Sequence, residues 1–115
     1  LAGAKIGKGV QINTINLNDP STVTIGDKVV IGGRSVINGH LVEKGQIVLA
    51  RVKLEAGCLI GAGSTIQPGV RIGKGAVIAT NGLVGKWKDI PDGEVWAGLP
   101  VKRIKESSKR KGIED

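Results

Sequence analysis

His40 is the one histidine in 115 residues. An imidazole that is neutral near pH 7 is well suited to act as a general base. It stands in the run Ile37-Asn38-Gly39-His40-Leu41-Val42, with Glu43 next in the chain. Asn38 and Glu43 are near enough to orient the ring or a substrate beside it, and the three together form the candidate catalytic set. The single cysteine, Cys58, falls in a place reserved for small inward residues and reads as core. One histidine cannot supply the three imidazole ligands of a His₃ zinc site, so no metal is expected.

These residues are positioned by a repeat of six. Leu54, Ile60, Ile66, Ile72 and Ile78 recur at unbroken six-residue intervals, and Val48 extends the series backward. Ile25, Ile31 and Ile37 form an earlier run, and Ile6 and Ile12 the first. Four residues after each leader comes a residue that is usually small or aliphatic, such as Val29, Ser35, Cys58, Ser64, Val70 or Ala76. A hexad with an inward pair and a Gly-rich turn is a short strand followed by a corner. Three such units close a triangular coil, and about four coils stack with parallel strands about 4.8 Å apart. An all-β parallel β-helix is therefore the expected architecture. A β-sandwich is the alternative, but its strands would not keep a strict six-residue register.

Two phase breaks mark insertions. One lies near Asn18-Asp19-Pro20, a turn sequence. The other is a five-residue excursion from Glu43 to Ile47. His40 occupies the fourth place of its hexad, just before that excursion. With every third hexad stacked, His40, Gly63 and Asn81 are expected in line, with the excursion walling one side of a ligand space at Gly63.

Composition agrees with a thin prism. There are 19 Gly and two Trp, with no Phe, Tyr or Met, although 40% of residues are hydrophobic. Disorder does not fit so many aliphatic residues, and collagen does not fit an irregular Gly spacing. Ile and Val columns fill a narrow interior, and Gly or Asn supplies the corner dihedrals. A lone Cys cannot form an internal disulfide, no apolar run approaches membrane length, and no signal sequence opens the chain. A cytoplasmic protein without membrane contact is the expectation. The net charge of +7 suits phosphate-bearing ligands or solubility. Nucleic acid is not expected, because aromatic residues for base stacking are scarce.

At Ile60-Gly-Ala-Gly-Ser-Thr and Ile72-Gly-Lys-Gly-Ala-Val the chain resembles the hexapeptide-repeat acyltransferases. Residues 89–104, with Val95-Trp96-Ala97-Gly98-Leu99-Pro100, resemble the C-terminal signature of that family. The resemblance implies a left-handed parallel β-helix, an exception to the right-handed crossover rule. It also implies a homotrimer. Residues 1–85 would be the β-helix and 86–115 a turn, a short helix from Pro100 to Gly112, and a basic tail. In that helix Val101 and Ile104 would face the coils.

The resemblance further implies transfer of an acyl group, such as acetyl, from acyl-coenzyme A to a hydroxyl or amine of a small acceptor. His40 would be the base, at a junction of subunits. The cofactor would lie near Lys86, Trp87, Lys88, Lys102 and Arg103, with Gly61, Ala79 and Gly98 admitting its pantetheine arm. Arg34, Arg51, Lys53 and Arg71 read as solvated. γ-Class carbonic anhydrases share such a fold but require three His. A non-catalytic trimerisation or scaffold module of a larger protein is the rival reading, and the stretch 38–51 is closest to domains attached to larger biosynthetic proteins.

Overall fold

The computed structural model describes residues 4–13, 15–18 and 22–105, with side chains for all of these except 15–18, 40–43, 48–49 and 105. Short strands, most of two residues, alternate with turns whose fourth hexad position takes a positive φ, as at Gly57, Gly63, Gly69 and Gly75. Three parallel faces result. The first is built from Lys5–Ile6, Val23–Ile25, Val52–Leu54, Arg71–Ile72 and Asp89–Ile90. The second holds Gln11–Ile12, Val30–Ile31, Leu59–Ile60, Val77–Ile78 and Val95–Gly98. The third holds Ile15–Asn18, Ser35–Asn38, Thr65–Ile66 and Leu83–Val84.

Register follows the repeat. Ile6, Ile25, Leu54, Ile72 and Ile90 pair in sequence on the first face. Ile12, Ile31, Ile60, Ile78 and Trp96 do so on the second. Leu17, Ile37, Ile66 and Val84 complete the third. The described chain therefore winds four coils and adds strands on two faces of a fifth. The turn expected at Asp19 and Pro20 lies outside the described residues.

The interior is as narrow as the composition implies. From Ile25 through Ile90 the leading residues are at most 1% exposed, and Val29, Ser35, Cys58, Ser64 and Ala76 line the second set of slots. The Ser35 hydroxyl donates to the Gly32 carbonyl at 2.8 Å and that of Ser64 to the Ala79 carbonyl at 3.2 Å, so both of these buried hydroxyls are paired. Cys58 is in the core, as expected. Burial pushes its thiol up to about 12, against the lowering effect of a backbone hydrogen bond, so it stays protonated and inert at neutral pH.

Outside, the first face is charged. Lys53, Arg71 and Asp89 stack in register. Arg71 differs from its expected solvated state: its guanidinium donates to Glu55 (3.2 Å), Asp89 (2.9 Å) and Asp92 (3.2 Å). In-register stacking brings acids of neighbouring coils within reach of one fork. Asp92 also accepts the Lys74 backbone N–H at 2.9 Å. That bond first, and Arg71 after it, hold the Asp92 carboxyl below its ordinary value, although desolvation acts the other way. A depressed carboxylate stabilises the fold above its unfolded pKa, about 3.9, and that contribution is lost as pH falls through the folded value. Asp92→Asn should therefore lower the melting temperature at pH 7 and leave it less changed near pH 3. Thermal melts across that interval check the sign, and the effect should shrink in high salt because the group is exposed.

The helix expected after Pro100 does not form in the described residues. Val101–Lys105 is instead a strand antiparallel to Val95–Gly98, with Trp96 opposite Arg103 and Gly98 opposite Val101. The last strand of the second face would otherwise leave its backbone groups unpaired, and this return satisfies them. Residues three apart share a helix face but take opposite sides of a strand. Val101 is accordingly buried as expected, while Ile104 is 64% exposed and does not face the coils. The expected helix end at Gly112 and the basic residues 109–111 lie outside the described residues.

Candidate functional site

The excursion is longer than the sequence pattern suggests. His40–Glu43 and Gln46–Leu49 form an antiparallel hairpin pairing His40 with Leu49 and Glu43 with Gln46. Lys44 (φ 50°) and Gly45 (φ 76°) make its two-residue turn, in which both positive φ values match strand twist. The Ala50 N–H donates to the Gly39 carbonyl at 2.9 Å and closes the root. Ile37 and Leu54 lead successive hexads, so eleven residues are inserted rather than five, and Val48 is opposite Leu41 in the hairpin instead of leading a hexad. Its six-residue distance from Leu54 is coincidental: the alternating hairpin strands carry aliphatic residues of their own.

This length moves His40 to a different corner. Ile37 stacks on Ile66 and then Val84, so the hairpin that begins at His40 leaves the prism at the corner of Gly69 and Trp87, where Ala50 takes the third place and Arg51 the fourth. The expected alignment of His40 with Gly63 and Asn81 does not hold. Gly63 donates its N–H to the Gly33 carbonyl at 2.8 Å, and Asn81 donates to Ala62 at 2.8 Å, which sets both at the corner of Arg34. The hairpin root rests on Gly69, whose N–H reaches the Ala50 carbonyl at 3.3 Å; Trp87 in turn donates its N–H to the Pro68 carbonyl at 3.0 Å. The side chains of His40 and Glu43 lie outside those described. Asn38 ends the strand that leads into the hairpin and is half-buried.

The expected cofactor residues separate into three places. Lys86, Trp87 and Lys88 are exposed at the corner that carries the hairpin. The benzo ring of Trp87 covers Gly69, in the space where a Cβ on Gly69 would stand, and the indole is 59% exposed. The Lys88 ammonium lies 4.7 Å from the centre of the Trp96 ring, a cation–π distance. Gly61 and Ala79 meet at the corner between the second and third faces. A Cβ on Gly61 would come within 2.6 Å of the Thr80 nitrogen and 2.8 Å of the Ala79 carbonyl carbon, so coil stacking accounts for this glycine. Gly98, Lys102 and Arg103 belong to the C-terminal hairpin. Arg103 is drawn toward Glu94, with Nη1 3.8 Å from Oε2.

Glu94 escaped sequence reasoning. It fills the inward slot that Val29, Cys58 and Ala76 hold in earlier coils, and it is fully buried. Its Oε1 accepts the Trp96 Nε1–H at 3.0 Å. The signal was present: Pro91-Asp92-Gly93-Glu94 is in phase with Gly73-Lys74-Gly75-Ala76 and puts an acid where a small residue belongs. Glu94→Ala should cost about 1–3 kcal/mol, since the Trp96 N–H loses its acceptor and Arg103 its ion-pair partner, and Glu94→Gln should cost less than half of that. Urea unfolding of the two variants checks the order.

Residues 51–86 match the family model described as bacterial transferase hexapeptide (six repeats), and residues 22–48 match the hexapeptide repeat of succinyl-transferase. The chain belongs to the hexapeptide-repeat acyltransferase family. Its prism is thus the left-handed parallel β-helix of that family. A delta-poly-L-ornithine synthetase of Acinetobacter baumannii (strain AB307-0294) is 33% identical over 104 residues, which are 89% of this chain and 8% of that protein. The hexapeptide-repeat-containing acetyltransferase of Vibrio cholerae superposes with a TM-score of 0.84 at 25% identity, over 90% of this chain and 62% of that one. Serine acetyltransferase of Brucella abortus strain S19 gives 0.74 at 26% identity, over 91% and 41%. That Brucella enzyme has also been solved in complex with coenzyme A. The chain spans less than two thirds of the length of each of these relatives. In the described residues no helix is long and apolar enough to cross a membrane.

Proposed function

We propose that this hexapeptide-repeat chain transfers an acyl group, such as acetyl, from acyl-coenzyme A to a hydroxyl or amine of a small acceptor. The observation that carries the reading is the hairpin at residues 40–49. It interrupts an otherwise regular coil and begins at the chain's one histidine. It rises from the corner where Gly69 and the exposed Trp87 lie in line, beside Lys86 and Lys88. His40 serves as general base: it takes the proton from the acceptor as the oxygen or nitrogen attacks the thioester carbonyl, and coenzyme A leaves as the thiol. Asn38 and Glu43, at the two ends of the strand pair leading through His40, orient the ring or the acceptor. The site is completed by a neighbouring copy in a homotrimer, a reading supported by the exposed Ile47 of the hairpin, an apolar residue such a copy would cover. Lys102, Arg103 and Gly98 offer a second stretch for the cofactor at the end of the prism, and Gly61 and Ala79 a smooth backbone surface.

Relatives that are acetyltransferases, one of them solved with coenzyme A, support this reading. A second reading, a β-helix module that trimerises or scaffolds a larger biosynthetic protein, is favoured by the match to 8% of the poly-ornithine synthetase. Acetyl-CoA consumption over a panel of sugars, amines and amino acids separates the two. Thiol release with any acceptor supports transfer. No binding and no consumption of acetyl-CoA by a well-formed trimer would leave the scaffold.

A further inference from the structure

Trp87 is out of keeping with the position it occupies. Other corners of this type hold glycine, Asn81, or a flexible cation such as Lys28 or Arg34. A bulky residue at φ 64° accepts a crowded left-handed backbone. The core gains little in return, because the indole lies outside the prism and remains 59% exposed. One side of the benzo ring rests on Gly69, where even a Cβ would collide with it. The rest of the indole is exposed, and exposed Lys86 precedes it in sequence, while the Lys88 ammonium is engaged over Trp96. A strained backbone that presents a flat aromatic surface next to a cation is an arrangement for a ligand that is planar and anionic.

We propose that the exposed indole of Trp87 is a stacking platform for the adenine of coenzyme A, with Lys86 on its phosphates, and that it selects free acyl-coenzyme A over an acyl-phosphopantetheine that lacks the nucleoside. This rests on the acyl-transfer reading and specifies which donor that site takes. Stacking on Trp needs a π-face, and the phosphopantetheine arm has none. Gly69 is part of the device, since any side chain there would lift the indole from its seat.

The test uses adenosine 3′,5′-bisphosphate, the nucleotide end of the cofactor alone, with calorimetry on the full chain. Trp87→Gly suits the positive φ and should fold normally, yet weaken that binding about tenfold; Trp87→Phe should retain most of it. In turnover, the preference for acetyl-CoA over acetyl-phosphopantetheine, as a ratio of kcat/KM, should fall by a similar factor in Trp87→Gly. Equal affinity of Trp87→Gly and wild type for the bisphosphate, or an unchanged ratio, overturns the platform. Transfer from acetyl-CoA without any affinity for the bisphosphate also overturns it and leaves the acyl-transfer reading in place. Bisphosphate binding that depends on Trp87 in a chain that transfers no acyl group sustains the platform and removes the transfer reading.

Discussion

His40→Ala lowers kcat by about 10²- to 10⁴-fold, the ordinary contribution of a positioned general base, with little change in KM for acyl-coenzyme A. On the proposed mechanism the two effects part, because the imidazole would act on the acceptor proton in the transition state while other groups hold the donor. The fold should not suffer. His40 pairs with Leu49 through backbone groups, and these bonds survive truncation of the side chain. Circular dichroism, sedimentation and coenzyme A affinity should therefore match wild type while turnover is lost. Turnover within a factor of about three of wild type would show that His40 is not the base. Asn38→Ala and Glu43→Gln separate orientation from proton transfer: each should cost less than His40→Ala, and neither should add much to it in a double variant, because residues acting as a unit are not additive.

The coil was legible because its two constraints are local and periodic. An aliphatic leader and a small partner four residues later state the inward slots directly, so the register from Ile25 to Ile37 and from Leu54 to Ile78 is recovered residue for residue. Where a second structure shares the composition of the first, the pattern misleads. Val48 is aliphatic and six residues before Leu54, yet a hairpin strand also needs an aliphatic residue there. That one ambiguity displaced His40 from the corner of Trp87 to the corner of Gly63. Lys44-Gly45 was the available sign of a two-residue turn. At the C-terminus, Pro100 suggested a helix start, but the unpaired edge of the last strand is a tertiary demand that no local preference reports. Glu94 shows the reverse case, in which the repeat itself marks the exception once its phase is carried past residue 84. The cofactor residues chosen by resemblance fall into three separate places because a family signature locates a segment, not the corner on which each side chain emerges.

Ile60→Ala should cost about 2–5 kcal/mol, while Ile6→Ala, in an equivalent leading slot, should cost less than about 1 kcal/mol. Ile60 is 0% exposed and packs between the coils of Ile31 and Ile78, so truncation leaves a cavity walled on both sides by stiff β-branched residues that cannot collapse into it. Ile6 is 38% exposed on the first described coil and has a coil on one side only, at Ile25. A β-helix is nearly one-dimensional: each coil is held by its two neighbours, and an interior defect weakens two interfaces where a terminal one weakens a single interface. The glycine corners leave no large side chain nearby to refill the space. Urea unfolding at matched protein concentration, which keeps any association equal, measures the difference. Equal losses at the two sites would mean that the aliphatic column does not act as one continuous core, and the hairpin that carries His40 would then lack the rigid base on which the catalytic prediction depends.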